Sequence, residues 1–431
     1  MNEVFLERIK AYFGNDCDRF LEKMKEPCTQ AFFLNTRKAD KQEIFSLIDF
    51  DYQSSPLTDE SFYHSIDNIG KRKAYELGLI YPQEVAASLT SRYIKTDGIK
   101  LIVDLCAAPG GKTINVLNRM NEDVLCISND TSHARALTLS SNLERLGLDQ
   151  AIITNKDCDE LADLLENKAD LVILDAPCSG EGMIRKYPEI LDTYSQSNIE
   201  ALAKTQSGLL EDAYKILKCG GQLIYSTCTF AFEEDEDQIT SFLERHKDME
   251  LIPIEMDSHT KLPGTVKLSF LNDTEGQFFA LLTKKEGKEA SSLKELKTVK
   301  DKLAEAFIKE NLAIDDYYLY KHNDHFYLSL RPLPDLKNGV MRYGIYLGDV
   351  IKNRFEPTHH LYRANSLKGK YKYTYDLNDQ EYDVYIAGNE LKTDLKEHYY
   401  QLTYKGHSLG FGKAVQGRIK NKYPKGLRRM I

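Results

Sequence analysis

Short apolar runs alternate with helical patterns from Gly98 to Lys284, and this alternation restricts the fold more than any other feature of the 431-residue chain. Strands that alternate with helices at this spacing build βαβ units around a mostly parallel sheet. We therefore predict an α/β fold with a doubly wound sheet. The predicted strands are KLIVDL (100–105), DVLCISND (123–130), AIITNKD (151–157), DLVILDAP (170–177) and QLIYSTCT (222–229).

Several chemically useful side chains fall at the ends of these predicted strands. Ligands of such sheets bind at the carboxyl ends of the strands, so we expect these side chains to share one site. Helices are predicted over 131–146, ending at Gly147, and over 197–217, closed by a Cys219-Gly220-Gly221 turn. The strand-end residues are Asp104, Asp130, Asp157, Asp175 and Cys228.

The segments on either side of this sheet differ from it in composition. Residues 1–97 mix helical and strand-like patterns, and AFFLNTRKA (31–39) is predicted to be a strand that runs into a basic turn. Residues 285–300 are charged and poor in apolar side chains, which is typical of a linker. Residues 301–431 are rich in tyrosine and in short strand patterns. We therefore predict an N-terminal α+β domain (1–97), a catalytic domain (98–284), a linker (285–300) and a C-terminal region (301–431).

Charge is distributed unevenly along the chain. The net charge is −9, yet residues 405–431 hold eight basic residues and no acidic ones, which leaves −17 for the remainder. A basic tail on an acidic body favours a local contact with a polyanion, and a solvated tail is the alternative. The sequence has no apolar run of the ~18 residues that a membrane span needs, and it starts without a signal-peptide pattern. We expect a cytoplasmic monomer with no membrane segment.

The segment DLCAAPGGKT (104–113) stands between a predicted strand and a predicted helix, where small residues let the backbone approach a ligand. Its GKT ending resembles a P-loop, but Cys106 stands where G-x-x-x-x-G-K-[ST] requires its first glycine. The G-x-G-x-x-G pattern of a dinucleotide site is absent as well. The remaining possibility is a doubly wound site for another adenosyl ligand, close to the free N–H groups of a helix N-terminus.

An adenosyl ligand requires a carboxylate for its ribose hydroxyls at the end of the second strand. Asp130 lies 26 residues after Asp104, about where that group is expected. Asp157 ends the third strand and is a candidate partner for the adenine amino group. For both residues the alternative is the N-cap of the next helix, and for Asp130 the two roles are compatible.

Two cysteines stand at the ends of neighbouring predicted strands. Cys178 lies in the loop LDAPCSGEGMIRK (174–186), and Cys228 lies in YSTCTF (225–230). Adjacent strand ends of a parallel sheet would bring the two thiols together, although Cys178 has a structural loop thiol as its alternative role. None of the eight cysteines forms a C-x-x-C pair, so no metal site is predicted and free thiols are favoured over disulfides.

A thiol beside an adenosyl methyl donor suits the methylation of a pyrimidine. Carbon-5 of a pyrimidine is a weak nucleophile, but a thiolate that adds to carbon-6 creates an enamine whose carbon-5 attacks an electrophilic methyl group. Local positive charge should lower the pKa of that thiol. An acid near N3 would stabilise the adduct, and Asp175 is placed to do so. These considerations do not choose between Cys178 and Cys228.

The segments DLCAAPGGKT, LDAPCSGEGMIRK and YSTCTF, in this order and spacing, resemble the Sun/nucleolar-protein family of RNA cytosine-5 methyltransferases. The segment GLIYPQEVAASL (78–89) resembles the Gln-Glu segment before the family's catalytic domain, with departures at Tyr81 and Pro82. EPCTQAFFLNTRKA (26–39) resembles its N-terminal strand. HSLGFGKAVQGRIKNKYPKGLRR (407–429) resembles the end of the bacterial RsmF branch, which carries a PUA-like RNA-binding module.

This resemblance implies a Rossmann-like class I methyltransferase sheet between an N-terminal RNA-binding α+β domain and a C-terminal PUA-like RNA-binding region. It implies S-adenosylmethionine as cofactor and small-subunit 16S ribosomal RNA as substrate. Cys228 is then the nucleophile, Cys178 assists product release, Asp175 contacts the target cytosine or the methyl donor, and Lys112 positions donor or base. The implied cofactor-binding residues are Cys106, Ala107, Ala108, Pro109, Gly110, Gly111, Lys112, Asp130, Arg135, Asp157 and Asp175.

Other interpretations of the sequence remain open. The substrate could be transfer RNA, or the chain could be a non-catalytic RNA-binding assembly factor, which the intact cysteines oppose. A DNA cytosine methyltransferase is opposed by the YSTCTF motif. Candidate phosphate contacts are Arg185, Lys186 and the 405–431 tail, and most tyrosines of the C-terminal region are expected in its core. The acidic run FEEDED (232–237) is predicted to be an exposed helix start without a catalytic role.

Overall fold

The computed structural model describes residues 2–287 and 292–429, which form a large central sheet, three smaller sheets and the helices that cover them. The first strands are β1 (Ala31–Leu34), β2 (Tyr52–Ser54), β3 (Ser61–His64), β4 (Ile80–Pro82), β5 (Leu101–Asp104), β6 (Leu125–Asn129), β7 (Ala151–Thr154), β8 (Ala169–Asp175), β9 (Leu217–Thr227), β10 (Met249–Leu251), β11 (Val266–Leu268) and β12 (Gln277–Lys284). The later strands are β13 (Tyr318–His322), β14 (His325–Ser329), β15 (Val340–Arg342), β16 (Ile345–Ile351), β17 (Arg354–Pro357), β18 (Thr374–Leu377), β19 (Leu391–Lys392), β20 (Tyr399–Tyr404), β21 (His407–Val415) and β22 (Arg418–Asn421). The α-helices are α1 (Glu3–Phe13), α2 (Cys17–Lys23), α3 (Lys41–Phe45), α4 (Lys73–Glu76), α5 (Val85–Leu89), α6 (Gly111–Arg119), α7 (His133–Leu146), α8 (Cys158–Leu164), α9 (Gln196–Ile216), α10 (Glu236–Arg245), α11 (Lys302–Asn311) and α12 (Asp379–Ile386).

The central sheet has the strand order β10-β12-β9-β8-β5-β6-β7-β15, with β11 paired to β12. Strands β5 to β9 run parallel to one another, whereas β12 runs antiparallel to β9 and β15 runs antiparallel to β7. The five predicted strands all belong to the parallel part. The predicted α/β fold is therefore confirmed.

Successive side chains of the central strands point to opposite faces, and helices cover both faces. Val172 and Leu174 of β8 pack in the cluster that includes α8, α9 and α10. Leu171 and Ile173 of the same strand pack in the cluster that includes α5, α6 and α7. Burial on both faces explains why these strands are continuous apolar runs rather than alternating ones.

The predicted ends of two helices can be compared with the structure. Helix α7 ends at Gly147, as predicted, because that glycine adopts the left-handed conformation with φ of 74°. Helix α9 ends at Ile216, and β9 begins at once with Leu217. Cys219, Gly220 and Gly221 belong to the first part of this strand, but the register with β8 shifts between Leu217 and Gln222 and Gly220 has a φ of 75°, so the chain bends out of the ladder where the turn was predicted.

The N-terminal and C-terminal parts of the chain share a core. The antiparallel sheet β2-β3-β1-β4 contributes Phe32 and Phe62, and the last sheet contributes Leu402, Tyr404 and Ile419 to the same apolar cluster. Beyond this cluster, Arg429 Nε lies 2.6 Å from Glu76 Oε1. The two terminal regions are thus packed directly against each other.

The region predicted as a single C-terminal unit (301–431) contains two sheets. One has the order β13-β14-β16-β17 and the other β18-β20-β21-β22-β19. Between β14 and β16, the chain leaves the first of these sheets and forms β15, which extends the central sheet: Val340 pairs with Thr154 and Arg342 with Ile153 of β7. The central sheet is therefore completed by a strand from beyond the predicted linker.

The predicted linker and the basic tail are both held by main-chain contacts. Within 285–300, residues 288–291 lie outside the described part of the chain, but Leu296 N donates to Leu333 O at 2.8 Å and Val299 N to Leu319 O at 2.8 Å. Of the 405–431 tail, residues 407–415 form β21 and residues 418–421 form β22, and 430–431 lie outside the description. In residues 2–287 and 292–429, no helix is long and apolar enough to cross a membrane.

Candidate active site

The carboxyl ends of β5, β6, β8 and β9 open onto a cavity of about 500 Å³. Its lining combines the glycine-rich segment after β5 with the loops after β6, β8 and β9 and with the segment before α5. Most of the residues predicted for the site line it, namely Asp104, Cys106, Ala107, Ala108, Pro109, Gly111, Lys112, Asp130, Arg135, Asp175, Cys178 and Cys228.

Asp104 lies at the bottom of this cavity and is fully buried. The Thr113 hydroxyl donates to its Oδ2, while its Oδ1 is buried without a hydrogen-bond partner in the described part of the chain. Burial raises the pKa of Asp104 to about 7, against the hydrogen bond from Thr113. A buried carboxyl oxygen with no partner can take a hydrogen bond from a bound ligand.

Two glycines allow the loop to pack closely before α6. Gly110 has a φ of 115°, in the region that favours glycine, and a Cβ there would lie 3.1 Å from Leu139 Cδ1. A Cβ on Gly111 would lie 2.7 Å from Gln83 Nε2. Side chains at these positions would push α6 away from α7 and from the segment before α5.

Asp130 is fixed at the edge of the cavity by main-chain donors. Its Oδ2 accepts a hydrogen bond from Ala108 N at 3.3 Å and its Oδ1 one from Ser132 N at 3.0 Å. Arg135 Nη2 lies 3.4 Å from Asp130 Oδ2 and donates to Ala108 O at 2.6 Å. Ser132, not Asp130, is the N-cap residue of α7. The carboxylate therefore holds the glycine-rich loop against the start of α7.

Asp157 and Cys106 offer no charged side chain to the cavity: Asp157 lies outside it, and Cys106 is a neutral thiol. Asp157 is the N-cap residue of α8, is exposed, makes no capping hydrogen bond through its side chain and does not line the cavity. Its predicted contact with adenine stays a prediction. A hydrogen bond with Cys158, together with burial, raises the pKa of the Cys106 thiol. Cys106 is therefore held as a neutral thiol in the loop.

The two strand-end cysteines lie side by side. Cys178 Sγ is 3.2 Å from Cys228 Sγ, and Cys228 N donates to Cys178 Sγ at 3.3 Å. The parallel register of β8 and β9 places Asp175 opposite Ser226, so the two loops leave the sheet together. The structure thus brings together two thiols that are 50 residues apart in sequence.

A cation and a carboxylate stand beside the thiols. Lys112 Nζ lies 3.0 Å from Asp175 Oδ2 and donates to Gln277 Oε1 at 3.4 Å. Ser226 Oγ donates to Asp175 Oδ1 at 2.7 Å. Because both carboxylate oxygens have partners, Asp175 is held in one orientation at the cavity wall.

The thiol pair is electrostatically asymmetric. A hydrogen bond from the Cys178 thiol lowers the pKa of Cys228, and the Lys112 ammonium acts in the same direction, while burial and Asp175 oppose them. The same thiol–thiol hydrogen bond and burial raise the pKa of Cys178. Cys228 is therefore the thiol that ionises more readily, which is the requirement for a nucleophile.

The middle of the acidic run after Cys228 is buried, so the prediction of an exposed helix start is wrong for Glu234, Asp235 and Glu236, whereas Asp237 is exposed. Glu234 and Asp235 have no exposed surface. Glu234 Oε2 accepts a hydrogen bond from Ser179 N at 3.0 Å, next to Cys178. Lys267 Nζ of β11 lies 2.7 Å from Asp235 Oδ2 and 2.8 Å from Glu236 Oε2. A lysine some 30 residues later supplies the counter-charge that permits this burial.

Arg185 is buried as well, which makes its predicted contact with a phosphate wrong. Its side chain is 2% exposed, pairs with Glu275 at 2.7 Å and lies over the Phe270 ring at 4.6 Å. It anchors the loop after Cys178 to the segment before β12. Lys186, in contrast, is exposed and lines the cavity. A phosphate contact by Lys186 stays a prediction.

Several residues that line the cavity were not predicted for the site, and three of them have long polar side chains. Gln83 and Glu84 lie in the segment before α5, and Gln277 begins β12. Glu84 accepts hydrogen bonds from Ala87 N at 3.2 Å and Glu275 N at 3.1 Å, and burial raises the pKa of Glu84 to about 7. The resemblance of GLIYPQEVAASL was the available signal for the first two. Gln277 carries no signal in the sequence.

Models of known families match each part of the chain. The model described as 16S rRNA methyltransferase RsmB/F matches residues 94–283. Three further models match residues 1–85, 304–364 and 372–429; they are described as the N-terminal domain of 16S rRNA methyltransferase RsmF, the RsmF rRNA methyltransferase first C-terminal domain and the methyltransferase RsmF PUA domain. The predicted PUA-like region (301–431) is thus matched by two different models.

Similar proteins extend over nearly the whole chain. Ribosomal RNA small subunit methyltransferase F of Shewanella loihica is 28% identical over 452 residues, covering 95% of this chain and 91% of the relative. The protein of the same name from Aeromonas salmonicida is 28% identical and covers 95% and 93%. A solved methyltransferase homolog from Pyrococcus horikoshii is 26% identical, with a TM-score of 0.59 over 66% of this chain and 95% of that chain. The agreement of four models and full-length relatives shows that the chain belongs to the RsmF branch of the RsmB/F methyltransferase family.

Proposed function

We propose that the protein transfers a methyl group to carbon-5 of a cytosine in 16S ribosomal RNA through a covalent cysteine adduct. The cofactor of this methyltransferase is S-adenosylmethionine, which supplies an electrophilic methyl group when bound. The observation that carries the cytosine chemistry is the thiol pair Cys178 and Cys228, 3.2 Å apart beside a lysine and a carboxylate. Methylation at a ring nitrogen or a hydroxyl would not require two adjacent thiols.

The cavity has the groups that S-adenosylmethionine requires. Asp104 Oδ1 is a buried acceptor with no partner in the described residues, suited to the ammonium group of the cofactor. Asp130, held by Ala108 N and Ser132 N, is suited to the ribose hydroxyls. The glycine pair Gly110-Gly111 keeps the loop free of Cβ atoms at the start of α6. These residues would hold the cofactor between β5 and β6.

Cys228 would begin the reaction by adding to carbon-6 of the target cytosine. Its thiol has the lowered pKa of the pair, so its thiolate is the better populated nucleophile. The new S–C6 bond moves electron density to carbon-5, which then attacks the methyl group. Lys112, 3.0 Å from Asp175, keeps positive charge next to the thiolate before the addition.

Asp175 would hold the base during the addition. Its carboxylate is fixed by Lys112 and Ser226, and its side chain is 34% exposed at the cavity wall. A carboxyl group at N3 stabilises the negative charge that develops on the ring when a thiolate adds to carbon-6. The Lys112–Asp175 pair can share the proton that N3 needs and later returns.

Cys178 would complete the cycle. After methyl transfer, the carbon-5 proton must leave to a base before the S–C6 bond can break and restore the Cys228 thiolate. Cys178 is the nearest thiol to Cys228 in the described structure, and its own hydrogen bond to Cys228 is lost once the adduct forms. Ser179 N, held by Glu234, fixes the loop that carries Cys178.

The decisive experiment follows methyl transfer from labelled S-adenosylmethionine. Acceptors are unmodified small subunits, naked 16S ribosomal RNA and transfer RNA, with bisulfite mapping of the product. We expect 5-methylcytosine in 16S ribosomal RNA. Methylation of transfer RNA alone would retain the chemistry and refute the substrate. Donor binding without transfer to any acceptor would favour an RNA-binding assembly factor.

Covalent trapping on RNA that contains 5-azacytosine separates the two thiols. Cys228→Ala should form no adduct on this RNA. Cys178→Ala should accumulate an adduct on ordinary cytosine-containing RNA, from which the unaltered protein releases its product. The matched control is Cys219→Ala, which removes an exposed thiol outside the cavity. Unchanged trapping by Cys228→Ala would overturn the nucleophile assignment. Trapping on DNA of the same sequence tests a DNA methyltransferase.

A further inference from the structure

A second cavity, of about 310 Å³, lies between the N-terminal part of the chain and the last sheet. It shares no lining residue with the candidate active site. Basic side chains converge on it from three segments, and none of the described residues that line it is acidic. These basic residues are Lys38, Arg363, Lys368 and His407.

Lys38 is the most unusual member of this basic cluster. Its side chain is 4% exposed, and its Nζ is buried without a hydrogen-bond partner in the described residues. Burial and its charged neighbours, Arg363, Arg145 and Lys368, all lower the pKa of Lys38. Buried ammonium groups are normally paired with a carboxylate. Here the surrounding charges are of the same sign.

The other cations of the cluster are only partly compensated. Arg363 donates to the carbonyl oxygens of Ser408 at 2.7 Å and of Glu76 at 2.9 Å, which are neutral acceptors. Lys368 Nζ donates to Lys38 O at 3.1 Å, again a neutral acceptor, and its side chain is exposed. These contacts orient the cations without cancelling their charge.

Two carboxylates approach the cluster from outside the lining. Glu43 Oε1 lies 3.1 Å from His407 Nε2. Asp376 Oδ1 accepts hydrogen bonds from Thr403 Oγ1 at 2.6 Å and Gly406 N at 3.0 Å. Both carboxylates are engaged with other groups, so they leave the Lys38 ammonium without a counter-charge.

We propose that this cavity is a phosphate-binding site. The bound phosphate supplies the counter-charge that no carboxylate of the described residues provides to Lys38 and Lys368. A phosphate oxyanion fits because it accepts several charge-assisted hydrogen bonds at once and carries its charge in a compact group. The same chemistry is offered by inorganic phosphate and by a phosphodiester of RNA. The proposal does not depend on methyl transfer, because the site is separate from the two thiols.

Inorganic phosphate is the first probe. The full-length protein is titrated with phosphate by calorimetry at constant ionic strength, with chloride as the balancing anion. We expect saturable binding that Lys38→Met weakens at least tenfold, whereas Lys420→Met, which removes an exposed lysine of the same sheet, changes it less than twofold. No saturable binding by the unaltered protein, or equal binding by Lys38→Met, would overturn the proposal.

Thermal unfolding keeps the test valid if Lys38→Met alters stability. Phosphate should raise the unfolding temperature of the unaltered protein above its value in chloride, and Lys38→Met should abolish that difference. If the cavity binds no anion, Lys38→Met only removes an unpaired buried amine, and the difference between the two anions stays the same. Lys368→Met, at an exposed position, should weaken phosphate binding by a smaller factor.

Competition identifies the source of the phosphate. RNA binding is measured with and without inorganic phosphate at the same ionic strength. If phosphate displaces RNA from the unaltered protein but not from Lys38→Met, an RNA phosphodiester occupies the cavity. If RNA binding is indifferent to both changes while phosphate still binds, the free anion is the ligand. Either result retains the site, and methyl transfer can be assayed independently in the same samples.

Discussion

Removal of Lys267 should destabilise the protein more than the loss of any exposed ion pair. The Lys267 side chain has no exposed surface, and it contacts Asp235 at 2.7 Å, Glu236 at 2.8 Å and the Phe230 carbonyl at 3.2 Å. In Lys267→Met, two carboxylates that are 0% and 6% exposed lose their cation. Breaking one side of a buried pair costs about 3–5 kcal/mol, which is a factor of roughly 10² to 10³ or more in the unfolding equilibrium.

The pH dependence of this loss has a defined sign. Burial raises the pKa of Asp235 well above its usual range, and Lys267 opposes that shift. Without Lys267 the pKa of Asp235 rises further in the folded state. The loss in the free energy of unfolding caused by Lys267→Met should therefore be complete above that raised pKa. It should shrink as the pH falls towards the pKa of Asp235 in the unfolded chain, because below that pKa the carboxyl is protonated in both states.

Urea unfolding followed by far-ultraviolet circular dichroism, at several pH values, measures both effects. The matched control is Lys215→Met, which breaks a pair with Asp163 whose side chains are 40% and 73% exposed. That change should lower the free energy of unfolding far less, because water screens an exposed pair. If Lys267→Met costs no more than Lys215→Met at neutral pH, or its deficit grows as the pH falls, the buried charge argument is refuted.

Three further predictions concern the site and its approaches. Lys112→Met should raise the pKa of Cys228, so the pH profile of its alkylation, followed by mass spectrometry, should move to higher pH; an unmoved profile would contradict the role of Lys112. Gly182→Ala should lower methyl transfer at least tenfold and lower the free energy of unfolding by about 1–3 kcal/mol, because its Cβ would lie 2.5 Å from Gly276 Cα. The control Gly208→Ala should not destabilise the protein, because a Cβ there meets open space. Glutamine should replace four exposed or half-exposed lysines of the last sheet and its end, Lys405, Lys413, Lys420 and Lys425. The slope of the logarithm of the RNA-binding constant against the logarithm of the salt concentration should then fall by about 0.7 for each phosphate contact removed. An unchanged slope would place the RNA elsewhere.

The parallel sheet was predictable because short segments of the sequence define its strands and helices without reference to distant residues. Each of the strands from β5 to β9 is an apolar run, and helix stops such as Gly147 stand next to them. Since the carboxyl ends of parallel strands meet at one edge, the proximity of Asp104, Asp130 and Asp175 follows from the alternation alone. The start of β9 was missed because two glycines and a cysteine have the composition of a turn.

The burial of charges was not predictable, because it depends on partners distant in sequence. FEEDED has the pattern of a solvated helix start, and the burial of Asp235 and Glu236 within it depends on Lys267, about 30 residues later. Arg185 was predicted to contact a phosphate for the same reason, since its partner Glu275 lies 90 residues later. Deletion of 405–431, a natural way to test a basic tail, would remove two strands of the last sheet.

The strand β15 also has a consequence for synthesis of the protein. It covers the edge of β7, and Val340 leaves the ribosome long after its partner Thr154. The intervening stretch of roughly 190 residues takes roughly 10 to 40 s to translate. During that interval the newly made sheet has an unpaired edge, which is a template for aggregation. Nascent chains that end before residue 340 should therefore depend on chaperones more than chains that extend beyond it.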